Sequence, residues 1–251
     1  DVSKVTNMSY MFSGAKLFNQ PLNKWNVSNV TNMKFMFQGT PFNKSLNTWN
    51  VSKVTNMEGL FLNAPAFNQS LDKWNVFNVT SMQSMFQGAK SFNQPLNNWN
   101  VSKVKNMVGM FQGAKDFNQP LNKWNISNVQ SIISMFNNAT SFNQDLSSWN
   151  TKNVKSMTLM FYNSSQTKES KVNIIIGEWN ISKVTDMQDM LYNIGMSVEK
   201  YSNILIGWAK QAPNIQSNVV FGGGTSYYNA EGAVARKILT DTYNWTITDS
   251  G

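Results

Sequence analysis

Catalysis needs side chains that attack, ligate or move protons, and this chain offers few. Its 251 residues include no cysteine and no histidine. That removes thiolate chemistry, disulfides, the commonest general base and the commonest metal ligand. The carboxylates Asp116, Asp145, Asp186 and Asp189 are scattered, and none pairs with a nucleophile on one face. Asp186 and Asp189 would lie one helical turn apart and could hold Ca²⁺ weakly, but the preference for acid at a helix start explains them as well. A glycoside hydrolase needs two carboxylates flanking a groove, and no such pair is readable. A row of methionines (Met8, Met33, Met57, Met82, Met107, Met157, Met187) has no Cys or His beside it. It reads as core filling rather than a soft-metal site. Gly222-Gly223-Gly224 is not followed by Gly-Lys-Ser/Thr, so it reads as a plain loop rather than a phosphate cradle. The expectation is a protein that is not an enzyme, with no cofactor and no metal.

Recognition by polar and aromatic side chains remains. An Asn follows each recurring Trp, at positions 26, 50, 75, 100, 125, 150 and 180. Such a row either offers amides to glycan hydroxyls or peptide, or forms a ladder bonding repeat to repeat; the ladder is the simpler expectation. Lysine occupies alternate repeats at two outward positions. One reads Lys24, Thr48, Lys73, Asn98, Lys123, Ser148, and the other Lys4, Asn29, Lys53, Asn78, Lys103, Asn128. Skipping a repeat roughly doubles a spacing of about 4.8 Å and limits like-charge repulsion. Phe77 fills a slot that is Ser in most repeats. It is either neutral drift or a ligand anchor. The candidate ligand-binding face comprises Lys24, Asn26, Ser28, Asn50, Ser52, Lys73, Asn75, Phe77, Asn98, Asn100, Ser102, Lys123, Asn125 and Asn150. With Arg236 as the single arginine, nucleic acid is not an expected partner.

These residues recur because the chain repeats itself. Trp25, Trp49, Trp74, Trp99, Trp124 and Trp149 are spaced by 24 or 25 residues, and Trp179 follows after 30. Met-Phe pairs (Met36-Phe37, Met85-Phe86, Met110-Phe111) and Phe-Asn-Gln (Phe18, Phe67, Phe92, Phe117, Phe142) keep the same period. One residue is lost between Phe37 and Phe42, and five are inserted near 164–170, where the polar run reads as a surface loop. Val172 and Ile176 then restore the register of Phe142 and Leu146. A unit of this size cannot bury an apolar face alone, but stacked copies can. Leu22, Trp25 and Val27 fit L-x-x-L-x-L, so Trp25–Ser28 is expected to be a short strand and Val30–Phe37 a helical turn ended by Gly39.

Residues 1–196 thus read as about eight repeats and 197–251 as a capping segment. In the latter, a helical stripe covers Val198–Lys210, Asn229 caps a second helix, and Trp245–Ile247 is strand-like. The chain opens inside a repeat, so upstream repeats, another cap or a second chain are expected at that edge, with self-association through it as one outcome. The 9 Trp and 16 Phe argue against disorder. No apolar run reaches the roughly 20 residues of a membrane helix, and no leader is visible. Asn- and Lys-rich composition with almost no Arg fits an AT-rich bacterial or viral genome and accounts for the formal charge of +8 without a partner.

The repeats resemble those of the BspA-like surface proteins, through Trp25-Asn-Val-Ser-Asn-Val-Thr-Asn-Met33 and Met110-Phe-Gln-Gly-Ala114…Phe117-Asn-Gln-Pro-Leu121. That leucine-rich-type repeat was long catalogued as a domain of unknown function, and the resemblance covers nearly the whole chain. It implies a right-handed α/β solenoid with parallel strands on one face and short helices or turns on the other, displayed at the cell surface or secreted. The implied role is adhesion, with binding of protein or glycan through the strand-lined face. The alternatives are a structural spacer or self-assembling unit, and a glycan-active enzyme.

Overall fold

The computed structural model describes residues 1–164 and 174–251. Within each repeat, two tight turns flank the tryptophan. The Trp25 N–H donates to the Leu22 carbonyl and the Val30 N–H to the Val27 carbonyl, each three residues back. The chain then reaches a single parallel bridge. Asn7, Asn32, Asn56, Ser81, Asn106, Ser131, Ser156 and Asp186 pair in succession. This row runs into an open parallel sheet of three strands, β1 (Asp186–Met187), β2 (Val220–Gly222) and β3 (Thr246–Thr248), in that order. Two α-helices lie among the described residues, α1 (Val198–Ala209) and α2 (Ala230–Lys237), and a short π-helical turn, Ile238–Thr242, follows α2. The fold is a repeat-type α/β arrangement.

The local assignments from sequence are displaced by about six residues. Trp25–Ser28 is not the strand; the backbone pairing lies at Asn32, inside the segment expected to be helical. There the N–H groups of Met33, Phe35, Phe37 and Gly39 donate to the Asn56, Glu58, Leu60 and Leu62 carbonyls of the next repeat at 2.8–3.0 Å. A helix would have bonded those groups to carbonyls four residues back in the same segment. Positive φ at Phe35 (55°) and Gly39 (65°) prevents helical continuation. The three-residue spacing of Val30, Met33 and Met36 comes from successive tight turns, which share that period with one helical turn.

The core follows from stacking like on like. Phe37, Phe61, Phe86, Phe111 and Phe136 stack along the chain with ring centroids 5.6–5.7 Å apart. Each also packs on the Phe of its own Phe-Asn motif, as Phe61 does on Phe67 at 3.7 Å. The methionine row is buried among them, as the reading of core filling requires. Tryptophan adds direction to the packing. The Trp74 indole N–H donates to the Leu46 carbonyl of the preceding repeat at 3.0 Å, and Trp49, Trp99, Trp124, Trp149 and Trp179 repeat the bond. An amphipathic ring with one donor satisfies both demands of this position.

The one-residue deletion is absorbed by a side chain. Elsewhere the Ala64 N–H bonds the Phe61 carbonyl and the Phe67 N–H bonds the Ala64 carbonyl. In the shortened repeat the Thr40 hydroxyl donates to the Phe37 carbonyl at 2.8 Å and accepts from the Phe42 N–H at 3.4 Å. The expected surface loop at 164–170 and the role of Val172 fall on residues 165–173, outside the described residues apart from Ser164.

The C-terminal segment keeps two features of the repeat. Both helices stand where the sequence places them, with Ser197 and Asn229 capping their first turns through side-chain oxygens. Trp208 of α1 donates its indole N–H to the Ile176 carbonyl at 3.2 Å, continuing the tryptophan row. The bridge row continues as β1, β2 and β3. The triple glycine is a loop only in part: Gly223 and Gly224 lie in loop and turn, as expected. Gly222 ends β2, and a Cβ on it would stand 2.4 Å from the Asp189 N. Gly224 has φ +68°, and a Cβ there would stand 2.1 Å from the Leu191 carbonyl oxygen. The chain end is pinned by Asp249, which accepts from the Tyr201 hydroxyl at 2.8 Å and from Arg236 Nε at 3.1 Å.

Candidate recognition surface

The two turns around each tryptophan, residues 22–31 and their equivalents, form one side of the stack. Three contacts hold this side in register from repeat to repeat. They are the indole bond to the preceding Leu carbonyl, the bond from the Thr31 N–H to the Thr6 carbonyl with its equivalents at Thr55 and Thr80, and side-chain bonds such as that from Asn29 Nδ2 to the Ser3 carbonyl. All fourteen candidate residues lie on this side. Lys24, Lys73, Lys123, Phe77, Asn98 and the Asn row from 26 to 150 are exposed, while Ser28, Ser52 and Ser102 are half-buried. The surface is lined by turns, not by strands, which corrects the expected strand-lined face.

The Asn row is also not a ladder. Each Asn Oδ1 accepts from the backbone N–H two residues on: Asn26 from Ser28, Asn75 from Phe77, Asn100 from Ser102 and Asn125 from Ser127, all at 3.1 Å. These are Asx turns, local to one repeat. The ladder exists elsewhere, in the Phe-Asn-Gln motif. Asn93 Oδ1 accepts from the Asn118 N–H and from Gln119 Nε2, each at 3.0 Å, and Asn43, Asn68 and Asn118 repeat the pattern. The recurrence of Gln directly after that Asn was the available signal: two amide neighbours can converge on one acceptor in the preceding repeat.

Lysine alternation has a direct partner in geometry. Lys53 Nζ donates to Asn29 Oδ1 at 2.7 Å, Lys103 to Asn78 at 2.9 Å and Lys183 to Asn153 at 2.7 Å. Each of these three Lys is held by the Asn of the repeat before it, which favours alternation of the two types; Asn128 and Asn153, in consecutive repeats, are the break in it. Lys103 Nζ also lies 4.0 Å from the centroid of the exposed Phe77 ring, within cation–π range. Asp72 is the acid in the middle of this side. Hydrogen bonds from Ser70 and Asn47 hold its carboxyl below the usual carboxylate range. The ion pair Lys34–Glu58 (3.0 Å) lies on the turn after the bridge, and its hydrogen bond raises the Lys34 ammonium above its ordinary value.

The remaining acids build little. Asp186 sits in β1 with its Oδ1 accepting from the Gln188 N–H, and Asp189 occupies a turn at φ +52°. They are not on one helix, which removes the helical-turn geometry expected for them. Among the described residues no group of three or more metal-ligating side chains converges. A groove of about 370 Å³ between Ile174–Glu178 and α1 brings Glu178 and Glu199 to one lining together with Lys200 and Lys210. Sequence reasoning missed that juxtaposition because α1 docks through glycines onto a segment about 30 residues upstream: a Cβ on Gly207 would lie 2.3 Å from the Gly177 carbonyl oxygen.

A stack of short homologous repeats joined by parallel bridges defines a repeat protein. The chain belongs to the family described as "Mycoplasma protein of unknown function, DUF285", whose profile matches residues 1–94, 69–173 and 167–219. No curated protein and no solved structure matches it.

Proposed function

We propose that the chain is a right-handed solenoid, secreted or displayed at a cell surface, that binds protein or glycan through the turns around its tryptophans. Consecutive parallel connections are right-handed in nearly all known cases, which supports the handedness. The BspA-like resemblance supports the location. The observation that carries the binding reading is the exposed, in-register array of Asn, Ser and Lys around Phe77, mounted on a core that holds each repeat to the next. Pre-ordered polar groups around one aromatic anchor suit recognition at low entropic cost. No chemistry is assigned to the surface. Glu178 and Glu199, which line one groove, are the pair with which to test a glycan-active enzyme: loss of a measured glycosidase activity on their joint substitution by Gln would establish it.

The test is a binding screen of the immobilised protein against extracellular-matrix proteins and a glycan array at low, physiological and high salt. Saturable binding that persists at high salt and weakens in Phe77→Ser is the expected result. A Phe77→Ser protein with full affinity removes the anchor. Absence of any salt-resistant binding favours the second reading, a spacer or self-assembling unit. Molecular size that rises with concentration, and stops rising when a polar capping segment is fused before Asp1, is the expected sign of it.

A further inference from the structure

The lysines are not spread evenly around the stack. Residues 1–6, 22–31 and the equivalent segments up to Thr185 hold ten of the lysines (Lys4 through Lys183) against three carboxylates, Asp1, Asp72 and Glu178. Seven of the net eight positive charges therefore lie on the turn side, and the rest of the chain is nearly neutral. Alternation within a row lowers repulsion between neighbours, but it does not explain why one side carries almost all the charge. Even distribution would lower the repulsion further. An AT-rich genome likewise favours Lys at every exposed position and gives no preference for one side.

The two alternating rows are also staggered. Repeats with Lys24, Lys73 and Lys123 carry Asn at the second position, and repeats with Lys53 and Lys103 carry Thr or Asn at the first. From Lys4 to Lys123 the result is a zigzag of ammonium groups along the stack, each row recurring every two repeats, about 10 Å; beyond it Asn128 and Asn153 stand in consecutive repeats, and Lys183 follows Lys103 after three. In the second row the ammonium groups of Lys53, Lys103 and Lys183 are fixed by neutral Asn oxygens, so they are positioned without being neutralised. Exposed Asn and half-buried Ser side chains lie between the rows.

We infer that this side binds a linear sulfated polysaccharide laid along the stack, a ligand class that rests on the recognition reading above and narrows it. Regularly spaced ammonium groups suit anions recurring along an extended polymer, and amides and hydroxyls between them suit sugar hydroxyls. The features that favour nucleic acid are missing from this side: it has no arginine, and Phe77 is its one exposed large aromatic side chain. A folded acidic protein would match the length of such a zigzag less well than a chain that runs parallel to it.

The test measures affinity for heparin, de-sulfated heparin and a DNA duplex across a salt series. Two variants of equal charge change are compared with the parent. One is Lys73→Gln/Lys103→Gln/Lys123→Gln, on the turn side. The other is Lys16→Gln/Lys90→Gln/Lys115→Gln, at the Ala-Lys corner of the repeats. The expected result is heparin binding that drops about tenfold or more in the first variant, with the slope of log affinity against log salt falling by roughly three, while the second stays within about threefold. Unchanged thermal unfolding shows that both variants fold. De-sulfated heparin or duplex DNA binding as tightly as heparin overturns the inference, as does equal loss in the two variants or no heparin binding at all. Salt-resistant capture of a neutral glycan or a matrix protein, with no heparin binding, overturns this inference and leaves the recognition reading standing.

Discussion

Asn93 and Asn100 are seven positions apart, and the stack uses them in opposite ways. Asn93 accepts two hydrogen bonds from the following repeat, whereas Asn100 closes an exposed turn within its own. Asn93→Ala leaves the partly buried Asn118 N–H without its acceptor and costs about 1–2 kcal/mol. Asn100→Ala costs below about 0.5 kcal/mol, as an exposed substitution does. Urea unfolding of the two variants checks the order, and equal losses contradict it. The same contrast shows what was legible at this scale. The exposure of the Trp-Asn row, of Phe77 and of the alternating lysines followed from period alone. Which Asn forms the ladder did not, because both rows recur with one period and only the direction of the side chain separates them. The Lys–Asn pairing was hidden for a related reason, since it links residues 24–30 apart whose proximity depends on the number of residues per turn of the stack.

At the scale of elements, the helices α1 and α2 were readable from apolar stripes of helical period, the second with Asn229 as its cap; the Ser197 cap of the first comes from the structure. The repeats' own elements were not, since tight turns and a single helical turn place apolar residues at the same three-residue spacing. Positive φ decides between them, and its sequence trace is the Gly at positions 59 and 109, which would weaken a helix interior by about 1 kcal/mol each yet suits the left-handed region. The C-terminal segment tests this use of backbone space. Gly224→Ala must place a methyl group against the Leu191 carbonyl at positive φ and is expected to cost more than about 2 kcal/mol. Unchanged stability contradicts the packing of β2 on the repeat before it. Tyr201 supplies a pH dependence for the same region. Burial, then the neighbouring Asp249 charge, raises its phenol far above the ordinary value. Folded and unfolded chains hold this proton equally below about pH 10. Above it the unfolded chain ionises first, so stability is full below that pH and falls by about 1.4 kcal/mol per unit as pH rises. Tyr201→Phe removes that part of the slope in alkaline unfolding curves, and an unaltered slope contradicts the assignment.

For the whole molecule, the account divides the stack into two sides. One couples repeats through a run of backbone bonds at Asn32–Gly39 and its equivalents, and the other, around the tryptophans, has fewer backbone links and presents side chains and most of the net positive charge. The recognition reading and the polysaccharide inference both depend on that division, which the sequence-based strand assignment would reverse. Native-state amide hydrogen exchange of the free protein tests it most directly. The account predicts slow exchange at Met82, Ser84, Phe86 and Gly88, whose N–H groups bond the next repeat, and at their counterparts around Phe111, with fast exchange over Asn75–Phe77 and Asn100–Ser102. Slow exchange at Trp74–Phe77 with fast exchange at Ser84–Gly88 would contradict it and return the ladder to the tryptophan segment.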